Sequence, residues 1–156
     1  MIIFLDLPIS HGSYGLHLSV RRAQPIGVGR LGQYHLPLGD YFYLGSARGA
    51  GGLQARVGRH LRGDGARHWH IDYLRAVAEV RNVFYTVADT SLECAWSQAL
   101  AQLPAAFIPI PRFGSSDCRS GCRAHLIAFP RRSRPVSVQE VLSVVSTSPV
   151  VLLQSC

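Results

Sequence analysis

Residues 41–47 read Tyr41-Phe42-Tyr43-Leu44-Gly45-Ser46-Ala47. Aromatic residues dominate the run and favour a pleated, half-buried strand. Leu38-Gly39-Asp40 in front of it is a turn cluster, so the strand starts at a bend. Upstream, Ser13 to Arg21 alternates in polarity and puts Tyr14, Leu16, Leu18 and Val20 on one face, a second strand signal. Pro25 to Arg30 reads as a further short strand after a turn, which suggests a hairpin with the first. These segments predict a small three-stranded antiparallel sheet.

Helical spacing takes over beyond it. Ser46 to Gly52 reads as a flexible connection, and Leu53, Arg56, Val57, His60 and Leu61 then share a helical period that Gly63 to Gly65 ends. His68 to Leu74 opens a second short helix, and Glu79 to Val87 is another strand segment. A helix from Ser91 to about Leu103 carries Glu93 in its first turn. Pro104 to Pro111 is a proline-punctuated connection, Gly114 to Asp117 a turn, and His125 to Phe129 a last strand. Pro130 to Pro135 is a basic linker, after which Ser137 caps a helix over Val138 to Val145. Residues 146–156 show no clear period. The expectation is an α+β fold, the three-stranded sheet flanked by helices with an extra C-terminal strand and helix. Residues 1–129 form the main domain, and 130–156 are a basic linker and helix packing on it.

A chain of 156 residues with 47% hydrophobic and 16% charged content can bury a core without disulfides. All 16 basic residues are arginine, and against nine acids they give a net charge of +7, which points to a polyanionic partner. Arginine suits such a partner because its fork binds phosphate bidentately. Met1 to Pro8 lacks the basic region of a signal peptide, and no apolar run reaches the roughly 20 residues of a membrane span. Cys94, Cys118, Cys122 and Cys156 read as reduced thiols of a cytoplasmic protein.

Gly12-x-Tyr14 and Tyr43-x-Gly45 on strands, then Arg56 and Glu93 on helices, are residue types that handle phosphate, protons and metal. Taken singly, each has an ordinary structural reading: a core tyrosine, a solvated helix charge, or a carboxylate favoured by the helix macrodipole. In this order they resemble the GIY-YIG nuclease superfamily. The segments Tyr41–Ala47, Arg56-Val57-Gly58-Arg59-His60, His68–Leu74, Glu93-Cys94 and Gly114–Cys118 with His125-Leu126 resemble a branch of it found alone or fused to a DNA base-excision enzyme.

That resemblance implies an endonuclease hydrolysing DNA phosphodiesters with one Mg²⁺ or Mn²⁺, in DNA repair or recombination. It assigns Glu93 as metal ligand, Arg56 as phosphate clamp, Tyr14 as general base or water orienter, and Tyr43 as a hydroxyl donor. His60, one turn beyond Arg56, is placed to relay a proton. Arg56, Arg59, Arg62, His68 and His70 are the expected DNA contacts, with a protein partner supplying specificity and no membrane. Alternatives from other classes are an inactive nucleic-acid-binding module and a zinc-stabilised interaction domain.

The chain departs from the family pattern in places. Ser13 and Leu44 stand at the isoleucine positions, the stretch from Gly45 to Arg56 is longer, and Ser46 and Ala47 replace a lysine that some members carry. The late asparagine of many members has no counterpart, and Ser116 or Asp117 falls in that neighbourhood. Two metal-like clusters remain. In His68-x-His70-x-Asp72, Trp69, Ile71 and Leu74 are expected to pack while the polar residues face a groove. Cys118, Cys122 and His125 have zinc-ligand chemistry to which Cys94 beside Glu93 could add a fourth donor, but Cys118 to Cys122 is wider than the usual two-residue knuckle, and the expectation is free cysteines that are simply buried.

Overall fold

The structure, a computed structural model, describes residues 6–63 and 67–154. The first five residues, part of the stop at Gly63 to Gly65, and Cys156 therefore lie outside the described residues.

β1 (Gly12–Val20) lies at the centre of a five-stranded antiparallel sheet. β4 (Gly39–Ala47) flanks it on one side and β5 (Glu79–Val87) on the other, with β6 (Leu126–Pro130) and β7 (Val151–Gln154) at the edges. The fold is thus mixed α+β, but its sheet is wider than the expected three strands. β2 (Gln24–Val28) does not pair with β1. It forms a separate two-stranded ribbon with β3 (Gly32–Leu36), because Gly32, at φ 101°, turns the chain back onto β2 instead.

Both faces of the sheet are covered. Tyr14, Leu16, Leu18 and Val20 of β1 bury one face against α1 (Gly52–Arg62), α2 (His70–Arg75) and the ribbon. Phe42, Leu44 and Phe84 bury the other against α3 (Glu93–Ala101) and α4 (Val138–Val144). Ser137 caps α4 as the sequence indicates, its hydroxyl accepting the Glu140 N–H at 3.3 Å. Trp96, fully buried, ties α3 to the end of α4 by donating to Ser146 Oγ at 2.9 Å.

Burial of the second face means that polar members of the β1 alternation lie inside. His17 stacks on Phe42 and sits between Asp40 Oδ1 at 2.7 Å and Asn82 Nδ2 at 2.8 Å, so both ring nitrogens are satisfied. The glycine-rich connection is an ordered turn. Gly51 and Gly52 have φ of 82° and 56°, and a Cβ on Gly52 would lie 2.1 Å from the Ile9 carbonyl oxygen. That approach fixes where α1 starts and hence which way Arg56 and His60 point.

Candidate functional site

The start of β1 and the end of β4 meet at one end of the sheet, where residues from both covering layers converge. From one layer come Tyr14, Tyr43, Arg56 and His60; from the other come Ser13, Ser46 and Glu93. Tyr14 Oη is 2.8 Å from His60 Nε2, and the Tyr43 ring packs edge-on against His60 at 6.0 Å between centroids. Two glycines of the signatures make room. A Cβ on Gly12 would lie 2.2 Å from the Thr86 carbonyl oxygen, and one on Gly45 would collide with the Tyr14 ring.

A cleft of about 620 Å³ opens over this meeting point. Tyr14, Tyr43, Ser46, Arg56 and Glu93 line it, with Arg48 and Arg119 as further cations. Arg56 reaches the cleft from the middle of α1, its guanidinium stacked 4.7 Å from the Trp69 ring centre and its Nη1 donating to the Ser46 carbonyl at 3.4 Å. Glu93, in the first turn of α3, accepts a hydrogen bond from Ser46 Oγ. Ser46 Oγ is 3.1 Å from Ser13 Oγ, which accepts the Leu92 N–H at 2.8 Å. The carboxylate is therefore aimed by a relay of two serines from neighbouring strands.

Burial sets the protonation states. Desolvation raises the Tyr14 hydroxyl well above its ordinary range, with Tyr43 adding to the effect and the Arg56 charge opposing it. Tyr43 is likewise pushed up to about 12 by burial. His60 is lowered to about 4, first by burial and then by Arg56, so its ring is neutral at physiological pH. Its Nδ1 is buried without a hydrogen-bond partner, which leaves Nε2, facing Tyr14, as its one engaged nitrogen.

The expected contacts divide. Arg59 turns toward α2, its Nη2 3.4 Å from Asp72 Oδ2, and does not line the cleft. Arg62 is exposed on the last turn of α1, also outside the cleft lining. His68 and His70 both reach the cleft, and His70 Nδ1 accepts the Gly114 N–H at 2.8 Å. Asp72 spends its carboxylate on the His68 and Trp69 N–H groups at the start of α2, at 2.9 and 2.8 Å. Ile71 and Leu74 pack as expected, whereas Trp69 also serves as the platform for Arg56.

Ser116 and Asp117 line the cleft as their neighbourhood suggested. Sequence reasoning passed over Ser13, Arg48 and Arg119 as site members. Ser13 carried a usable signal, a polar residue inside the Gly12-x-Tyr14 signature.

Beside Glu93 the wall of the cleft becomes a cysteine cluster. The donor atoms of Cys94, Cys118, Cys122 and His125 all lie within 4.8 Å of one another, a set able to hold a metal ion. Among the described residues it is the one group of three or more such side chains within that spacing, and its sulfur-rich donors lean toward zinc over Mg²⁺ or Mn²⁺. The His68–Asp72 segment forms no such group among the described residues.

The fold and cleft thus define a mixed α+β protein with an arginine-bearing groove beside a Cys₃His cluster. The chain belongs to the family described as "Domain of unknown function DUF123", whose pattern matches residues 13–147. No curated protein and no solved structure matches it. Among the described residues no helix is long and apolar enough to cross a membrane.

Proposed function

We propose that this chain is a divalent-metal-dependent endonuclease that hydrolyses DNA phosphodiesters, in keeping with its resemblance to the GIY-YIG nucleases. The observation that carries the reading is the convergence of Tyr14, Tyr43, Arg56 and Glu93 on one cleft, with His60 directly behind Tyr14.

Arg56 is braced by Trp69 and the Ser46 carbonyl, so it meets a non-bridging phosphate oxygen in a fixed direction. Glu93 is a hard oxygen donor on the cleft wall, and a single aimed carboxylate fits Mg²⁺ or Mn²⁺, which fill the rest of their shell with water and phosphate. When bound, such an ion supplies positive charge against the phosphorane. Tyr14 keeps its proton at neutral pH, which favours a role in orienting the attacking water over one as a standing phenolate base. Neutral His60 at 2.8 Å is the acceptor to which Tyr14 passes a proton as it takes one up from that water. Tyr43 presents its hydroxyl beside the same phosphate.

Arg48 and Arg119 on the rim, rather than Arg59 and Arg62, extend the cation track for the DNA backbone. The test is incubation with flap, fork, bubble and duplex DNAs in Mg²⁺ or Mn²⁺, with Glu93→Gln as control. Metal-dependent cutting that the variant lacks supports the reading. Tight binding without cutting on every substrate replaces it with a non-catalytic nucleic-acid-binding module.

A further inference from the structure

We propose that Cys94, Cys118, Cys122 and His125 bind one zinc ion, and that this ion joins α3, at the residue next to Glu93, to the loop of residues 111–125 that lines the cleft beside it. The spacing of the donors supports it. Cys94 Sγ lies 3.4 Å from Cys118 Sγ and 3.5 Å from His125 Nε2. Tetrahedral zinc with ordinary bond lengths gives sulfur–sulfur edges of about 3.8 Å and sulfur–nitrogen edges of about 3.6 Å. These two edges lie within tenths of an ångström of the tetrahedral values, and every other pair of donors lies within 4.8 Å.

Hydrogen-bond donors surround two of the sulfurs. The Cys118 sulfur accepts the backbone N–H groups of Ser120 and Cys122, and the Gln98 side-chain amide donates to Cys122 Sγ at 3.7 Å. Gly121, at φ 78°, turns the chain so that both backbone donors face inward; a Cβ there meets nothing within 4 Å, so conformation rather than space calls for glycine. Donors of this kind orient the sulfurs around a bound metal. The His125 ring is held in turn by a hydrogen bond to the Gly114 backbone. Cys94, Cys118 and Cys122 are all free thiols.

The arrangement also answers a structural need. Residues 111–125 contain no regular secondary structure and are held at their base by Arg112 N–H to Arg123 carbonyl at 2.7 Å and His125 N–H to Phe113 carbonyl at 2.8 Å. Cys118 and Cys122 lie beyond those bonds, and a shared ion would fasten this end of the loop to α3 more firmly than the Gln98–Cys122 hydrogen bond does. This inference is independent of the nuclease reading, since the ligand set excludes Glu93.

The test uses the full chain, reduced and prepared without chelator. One zinc per chain is expected, and Co²⁺ added to the stripped protein should give the intense visible absorption of a tetrahedral thiolate site. Stripping should lower the melting temperature by about 5 °C or more. Cys122→Ser should lose the zinc, while Cys156→Ser and Glu93→Gln keep it. If Cys122→Ser does not fold, the cobalt spectrum of the unsubstituted chain decides. A protein with no zinc and no cobalt–thiolate absorption, or one whose zinc survives Cys122→Ser together with Cys118→Ser, overturns the assignment.

Discussion

Gly45 lies directly against the Tyr14 ring: a side chain at Gly45 would begin 2.5 Å from Tyr14 Oη and 2.6 Å from its Cζ. The two are register partners on β4 and β1, so the glycine of one signature shapes the pocket for the tyrosine of the other. Gly45→Ala should therefore push Tyr14 off His60. Overpacking of a buried ring costs about 1–3 kcal/mol, to be read by urea denaturation, and cleavage should fall with it. Unchanged stability and cutting would show that the ring is not confined as described.

Removing the charge of Glu93 while keeping its shape isolates its role. Glu93→Gln should lower cleavage by at least ~100-fold and leave DNA binding within about twofold of wild type. Cleavage at the wild-type rate in gel assays would remove Glu93 from the site.

Arg56 stacks on Trp69 as well as pointing into the cleft, so charge alone should not replace it. Arg56→Ala is expected to weaken DNA binding about tenfold and cut cleavage further, and Arg56→Lys to recover only part of either. Full recovery by lysine would mean that the planar guanidinium is not used.

His60 makes stability pH-dependent in a definite direction. Its folded pKa, about 4, lies below the ordinary histidine value of 6.5, so below pH 6.5 the unfolded chain binds a proton that the folded chain refuses. The contribution is fully present above pH 6.5 and is lost as pH falls toward 4, by on the order of 3 kcal/mol. Denaturation curves across that window should be less pH-dependent in His60→Gln than in wild type. Equal slopes would place His60 in water.

Cleft binding should weaken with salt by counterion release. If Arg48, Arg56 and Arg119 each meet a phosphate, log K should fall against log salt with a slope near −3. A flat dependence would exclude backbone contact.

Much of this was legible in residue patterns. β1 and β5 alternate or run apolar over nine residues, and each was bounded to within a residue or so. Ser137 marked the start of α4 because a cap is a local interaction. What escaped was non-local. Gly32 supplies the local turn between β2 and β3, but the exclusion of β2 from the main sheet depends on β4 and β5 occupying both edges of β1, which no residue within 24–36 reveals. β7 is an edge strand with partly exposed residues on each side, so its four residues show no alternation. In the site, the residues that line the cleft were in part readable, but the serine relay to Glu93 and the turn of Arg59 toward α2 depend on tertiary contacts.

The central place of β1 also bears on how the chain reaches this state. Tyr14 pairs with Gly45 on one side and with Tyr85 on the other, so one flank of β1 closes long before its second partner exists in a growing chain. Sheets joined over such separations fold in milliseconds to seconds rather than microseconds, on the order set by loop closure. During synthesis the uncovered flank of β1 is a bare strand edge of nine residues, open to pairing with a neighbouring chain until β5 emerges.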